Sequence, residues 1–408
     1  MLGSGPSWVF FNYLVSTGRC DDSWILLASR LGSLSDRTQE CSILPSPSSG
    51  VPATSRATAR LAGQPLTRSF TALTAQVRTA GLLGRAQGFY ILLFSLLVLA
   101  LGGIATGVVL LGESWLQLLM AGALGVVLTQ FAFLGHEASH RQIFTSGKAN
   151  DRTGRILAVG FAGLSYSWWM HKHTKHHGNP NQVGKDPDIA RDTISFVEAD
   201  AAEQRGVLRW VAQRQAYLFF PLLFLEGVNL HYKSVQSLLQ RGPVKGRALE
   251  LTMLGVRFGL YAGVLFWFLP LGMAAAFIGV QLAIFGFYMG ASFAPNHMGM
   301  PIVPADVKLD FLSKQVRTSR NIRGGWWMSL LMGGLNYQVE HHLFPSMPRT
   351  HLRAARAMVR EHCRTLDVPY TETNLAGAYK SVLTYLDRVG LKARDPFDCP
   401  AAGNMRFG

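Results

Sequence analysis

Charge is scarce in this chain of 408 residues: Asp, Glu, Lys and Arg make up only 15% of it, against roughly 25% in an ordinary soluble domain. The scarcity is local. Residues 86–135 hold one charged group, Glu113, and residues 258–296 hold none. Such blocks exclude a purely soluble chain, since each can supply two helices of the roughly 20 residues that cross a bilayer. Cysteine is scarce as well. Cys20, Cys41, Cys363 and Cys399 form no C-x-x-C pair, which argues against a zinc ribbon or disulfide framework and for free thiols. Acidic residues are missing from the stretch carrying Arg56, Arg60, Arg68, Arg78 and Arg85, just ahead of the first block. A basic flank of this kind stays on the cytoplasmic side, against anionic headgroups. The formal net charge of +15 is thus read as topology. No nucleic-acid motif accompanies it, and no nucleic-acid partner is expected.

The expected fold is all-α and integral to the membrane: four transmembrane helices in two hairpins, with a cytoplasmic helical cap. The first hairpin is placed at 88–112 and 114–135. The second is placed at 249–269 and from a turn at 270–272 to about 294. Helices two and four then end on the side where the chain began, with His136 and His297 just beyond them on one membrane face. Arg257, inside the third helix, is expected to snorkel to the interface. The shorter apolar stretches 156–169 and 217–230, the latter interrupted by Pro221 and Glu226, suit interfacial or re-entrant helices. Residues 1–60 are rich in Ser, Gly and Pro and read as a disordered or spurious leader. The apolar run 8–15 is too short to span and makes a poor signal peptide. Residues 61–87 form a basic pre-membrane segment, 88–385 the membrane domain and 386–408 a tail.

Seven of the twelve histidines fall in three groups. The first is His136-Glu137-Ala138-Ser139-His140, the second His173-Thr174-Lys175-His176-His177, the third Gln338-Val339-Glu340-His341-His342. Residues three and four apart share a helix face, so each group can aim its rings at one metal, and imidazole suits Fe, Zn, Cu and Ni. Any one group alone is weak evidence, because an interfacial histidine usually caps a helix or faces water. Three groups beside membrane helices are another matter, since ionisable groups near hydrocarbon are costly and usually functional. The first group also matches H-E-x-x-H, the zinc metalloprotease pattern with Glu137 as base. That rival leaves most of the clustered histidines without a role. A metal transporter fares worse, because no charged path crosses either block.

The order H-x-x-x-H, H-x-x-H-H and Q-x-x-H-H resembles the membrane fatty acid desaturase family. The likeness spans roughly residues 88–365. It includes Gly178-Asn179-Pro180-Asn181, Lys185-Asp186-Pro187-Asp188 and Asn336-Tyr337-Gln338-Val339-Glu340-His341-His342-Leu343-Phe344-Pro345. Glutamine opening the third box looks like the front-end branch, although bacterial acyl-CoA desaturases share it. The resemblance implies two Fe ions held by His136, His140, His173, His176, His177, His341 and His342, with His297 completing the set, and O2 as co-substrate. Gln338 stands where other branches place histidine and is expected to act beside the ligands, through water or a hydrogen bond. His171, Asp186, Asp188 and Glu340 are candidates for orienting the rings; His231, His351 and His362 are read as ordinary interfacial groups. No His-Pro-Gly-Gly word, the mark of a fused cytochrome b5 domain, occurs in the sequence. The expected partners are therefore a fatty acyl-CoA or acyl-lipid, the bilayer, and a separate electron donor such as a ferredoxin, a cytochrome or a flavin reductase.

The chemistry explains the ligand type. A saturated hydrocarbon offers neither an acidic proton nor an electrophile, so removing its hydrogens takes an oxidant made from O2 at a metal, with two external electrons. Neutral imidazoles avoid gathering anions at a membrane surface. Desaturation is the expected outcome, with hydroxylation, ketolation and epoxidation as the related alternatives. Trp168, Trp169, Trp326 and Trp327 are expected to line the mouth of an acyl tunnel or to form an aromatic belt. Arg317, Arg320 and Arg323 could hold a phosphate of CoA or phospholipid, or serve only as a basic flank.

Overall fold

The computed structural model describes residues 64–394, all within the unit Ala62–Gly408. The leader expected at 1–60 and Cys20, Cys41 and Cys399 lie outside them. The described residues are mostly helical. Among the described residues, four helices are long and apolar enough to cross a membrane; at 1.5 Å per residue each spans about 33–40 Å.

Helix α1 (Gln64–Thr79) leads into α2 (Gln87–Leu111). After Gly112 the chain enters α3 (Gln117–Ser139), which packs along α2. Gln117 closes the turn by donating its amide to the carbonyls of Val108 and Gly112. The apolar run predicts an end at about 135, yet the helix continues to Ser139, so His136 lies in its last turn rather than beyond it. A fall in hydropathy marks where lipid ends, whereas backbone bonding continues until a residue breaks it.

Helix α4 (Gly147–Arg155), capped by the Ser146 hydroxyl, winds into a π-helical segment, Ile156–Ala162. Gly163 ends this segment in the left-handed conformation, at φ 79°, where a side chain would be strained. Helix α5 (Tyr166–Gly178) follows, capped by Ser165. The stretch 156–169 is therefore two segments split at a glycine, not one helix. Beyond the short α6 (Glu198–Ala202) and α7 (Gly206–Ala212), α8 (Gln215–Leu239) runs unbroken. Pro221 falls in its second turn and removes one backbone bond without ending the helix.

Pro270 separates α9 (Arg247–Phe268) from α10 (Leu271–His297). Like α3, α10 outruns its expected end and carries its histidine, His297, inside the helix. It packs mainly on α8 and α3 and only slightly on α9. The α8–α10 seam depends on two glycines. A Cβ at Gly227 would stand 2.1 Å from the Leu282 carbonyl oxygen, and one at Gly286 would stand 2.1 Å from the Gly227 nitrogen. The two backbones touch there. Arg257 of α9 donates Nε to the Phe161 carbonyl at the end of the π segment.

The remaining chain folds over the histidine-bearing ends of α3, α5 and α10. It comprises α11 (Phe311–Arg317), β1 (Arg320–Ile322), α12 (Trp326–Leu331), a 3-10 turn (Leu335–Tyr337), α13 (Gln338–Leu343), α14 (Arg349–Thr365), β2 (Thr371–Thr373) and α15 (Leu375–Arg394). Strands β1 and β2 pair in parallel, with Asn321 opposite Glu372; the pair is a small departure from the all-helical expectation. Helix α15 passes through the boundary expected at 386, and Leu386 and Val389 are buried against Phe219 and Leu223 of α8.

The candidate metal centre

Box two is aimed by the start of its own helix. The Glu250 carboxylate, fully buried on α9, accepts from the Ser165 hydroxyl (2.7 Å), the Ser167 hydroxyl (2.6 Å), the Ser167 backbone N–H (3.2 Å) and Arg155 Nε (3.2 Å). A carboxylate at a helix N-terminus satisfies free N–H groups and the positive end of the helix dipole. So anchored, α5 presents His173, His176 and His177 toward the ends of α3 and α10.

The rings converge in two clusters. His136, His140, His173, His177 and His341 form one, and His176, His297 and His342 form the other. Within each, one nitrogen per ring lies within 4.8 Å of every other. His173 Nε2 is 3.0 Å from His136 Nε2 and 2.7 Å from His140 Nε2, and His341 Nε2 is 3.2 Å from His177 Nε2. His177 and His342 stack between the clusters, with ring centroids 4.2 Å apart. Gln338 joins the three-histidine cluster, its Nε2 2.9 Å from His297 Nε2.

The opposite edges of the second cluster are held. His176 Nδ1 lies 3.0 Å from Asp186 and 3.2 Å from Asp188. His297 Nδ1 lies 2.8 Å from the Thr318 carbonyl, and His342 Nδ1 lies 2.8 Å from Gln315 Oε1. Each contact places the N–H on Nδ1 and leaves Nε2 a bare lone pair facing the cluster. Burial, helped by repulsion between rings, holds His173, His177, His341 and His342 well below the ordinary imidazole range and His140 at about 3. These rings are neutral, the form that ligates. His176 is the exception: burial pushes it down, but Asp188 and Asp186 outweigh that and raise it.

The donor set fits metal ions. His342 Nε2 and Gln338 Oε1 are buried without any hydrogen-bond partner, an arrangement that costs free energy unless something else meets the lone pairs. Ligands at right angles around a metal about 2.1 Å away stand roughly 3 Å apart, which is the separation of the facing Nε2 atoms.

A family model described as fatty acid desaturase matches residues 113–374. The chain belongs to the fatty acid desaturase family. It is accordingly a lipid desaturase, an oxidoreductase. It is 27% identical to the Delta(8)-fatty-acid desaturase of Helianthus annuus, over 84% of this chain and 77% of that one. It is 29% identical to the acyl-lipid (9-3)-desaturase of Borago officinalis, over 70% and 67%. The Delta 8-(E)-sphingolipid desaturase of Lachancea kluyveri is 28% identical, over 69% of this chain and 53% of its own length.

Other expected residues of this desaturase sit differently. His171 is exposed and belongs to neither cluster. Glu340 faces away from the rings; Asn321 Nδ2 and the Tyr370 hydroxyl donate to its two oxygens (2.7 and 2.8 Å), and burial pushes its carboxyl up to about 7. Glu137, the would-be protease base, accepts two bonds of 2.6 Å from Arg349. Arg320 is buried and donates to the Pro295 and Ala378 carbonyls, so it is not available to a headgroup. Arg317 is exposed, and Arg323 lies 3.9 Å from Glu372. Trp169 stacks on His173, centroids 4.5 Å apart, while Trp326 and Trp327 are exposed. His231, His351 and His362 bond to the Gly227 carbonyl, the Leu82 carbonyl and the Ser69 hydroxyl. Gln315, Thr318 and Arg349 carried no sequence signal: each is a common residue type outside any box.

Proposed function

We propose that this protein is a membrane-embedded, O2-dependent desaturase of lipid acyl chains, with two irons shared between the clusters. His136, His140, His173, His177 and His341 would hold one iron, and His176, His297 and His342 the other, with Gln338 beside His297. The observation that carries this reading is the convergence of eight imidazoles into two adjacent groups. One tetrahedral zinc takes four ligands at most, so a zinc protease leaves half of these rings unused, and its base would have to be the Glu137 already bound by Arg349. The iron pair would supply oxidation of an unactivated C–H bond with O2 and two electrons. The protein's own part is to keep His140, His173, His177, His341 and His342 neutral, to fix the tautomers of His176, His342 and His297 through Asp186, Gln315 and Thr318, and to wall the centre with Trp169 and Phe293, which exclude water.

With the four long helices taken as two hairpins in the bilayer, the cap and both clusters would lie on the cytoplasmic side, a reading that the basic flank ahead of α2 supports. The named relatives act on fatty acyl and sphingolipid chains, and with the Gln338 box they support a front-end acyl-lipid substrate. Electrons would come from a separate ferredoxin, cytochrome or flavin reductase. Cells expressing the protein are fed isotope-labelled fatty acids, and the purified protein is assayed for metal. A new double bond and about two irons per chain are expected. An oxygenated product without a double bond, or a single zinc, overturns the reading. His176→Ala should abolish desaturation and lower iron content.

A further inference from the structure

Glu137 lies between two cluster histidines, yet both its oxygens turn away from them to Arg349, 212 residues further on. Both side chains are buried: 4% of the arginine side chain and 2% of the glutamate side chain remain exposed. Arg349 begins α14, just after the third box. Its stem packs on Gly334, whose φ is 82° and where a Cβ would meet Arg349 Cγ at 2.7 Å. Gly334 precedes the box and Arg349 follows it, so this contact closes residues 334–349 into a loop carrying Gln338, His341 and His342. Three further bonds tie the loop to the end of α3 and to α2. The Arg349 backbone N–H donates to the Tyr90 hydroxyl (3.2 Å), Tyr90 donates to Gln142 (3.1 Å), and Gln142 donates to the Pro345 carbonyl (2.8 Å).

We infer that the Glu137–Arg349 pair is a latch that registers the third histidine box on the first, building the five-histidine cluster before any metal arrives. Buried ion pairs are weak sources of net stability, and their best-attested use is to fix register. Here the pair joins the segment of His136 and His140 to the segment of His341. His342 of the three-histidine cluster rides on the same loop, but the rings of that cluster have anchors of their own outside it: Asp186 on His176, Thr318 on His297 and Gln315 on His342. Glu137 and Arg349 are positioning residues and touch neither metal nor substrate. The inference rests on the two-iron reading for its consequence but not for its first test.

That test is hydrogen exchange of the full chain, purified free of metal in detergent, comparing wild type with Glu137→Gln/Arg349→Met, which removes both charges at similar volume. Amides of residues 338–343 should exchange at least tenfold faster in the variant, while those of α8 and α10 keep their rates. Unchanged exchange in the box, or a matching rise throughout the chain, overturns the latch. The second measurement reloads both proteins with iron. The variant should bind about one iron per chain against about two in wild type, with a changed Mössbauer spectrum, and Arg349→Lys should recover part of the second iron. A variant that takes up the wild-type number of irons with an unchanged spectrum also overturns it. A wild type that binds no iron overturns the proposed function instead and leaves the exchange result standing.

Discussion

At the scale of single residues, the centre depends on groups that orient imidazoles. Asp186 is the clearest case. It is buried, bonds His176 Nδ1, and also accepts from the backbone N–H of Asn181 and Asp188. Removing such a partner of a ligating histidine typically costs 10–100-fold in metal affinity. Asp186→Asn should therefore lower iron retention by about that factor in competition with a chelator, with the helical circular dichroism unchanged. The box histidines were legible in the sequence because spacings of three and four translate directly into a shared helix face. Gln315 and Thr318 were not, because they reach the rings from another segment through contacts that leave no periodic trace. Arg317, Arg320 and Arg323 looked alike as a row of positive charges, yet burial sets Arg320 apart, and burial at one position of a short strand is a property of the tertiary fold.

At the scale of elements, apolar runs located the four long helices to within a few residues but misjudged where they stop. Both α3 and α10 carry their histidines inside the last turn because hydropathy reports the lipid boundary and not the helix boundary. The start of α5 shows the converse: its anchor, Glu250, is a lone carboxylate at the polar end of α9, a position that carries no periodic or motif signal. Glu250→Ala would leave the Ser165 hydroxyl, the Ser167 backbone N–H and Arg155 Nε without this acceptor. Breaking a buried charged partner of this kind costs roughly 3–5 kcal/mol. A drop in melting temperature, together with loss of metal from both clusters, is the expected result. Retention of both metals would show that α5 is aimed by its packing alone.

For the whole molecule, the histidine-bearing ends of α3, α5 and α10 are covered by segments between α11 and α15, far apart in sequence. Their joint position is what brings His136, His176, His297 and His341 together. Metal binding should therefore feed back on global stability, because a ligand that favours the folded state stabilises it by mass action. Stripping iron with a chelator should lower the melting temperature of the wild-type protein, and re-addition should restore it. The same treatment of His140→Ala/His341→Ala should shift the melting temperature less.

The glycine contact between α8 and α10 constrains how a lipid tail travels. Where two main chains press together without side chains between them, no hydrocarbon can slide through. A similar tight point occurs at Gly125, whose Cβ would stand 2.9 Å from the Gln281 carbonyl oxygen of α10. Helix α10 is thus riveted on two sides, and any doorway from the bilayer toward the rings has to open along some other flank of the bundle.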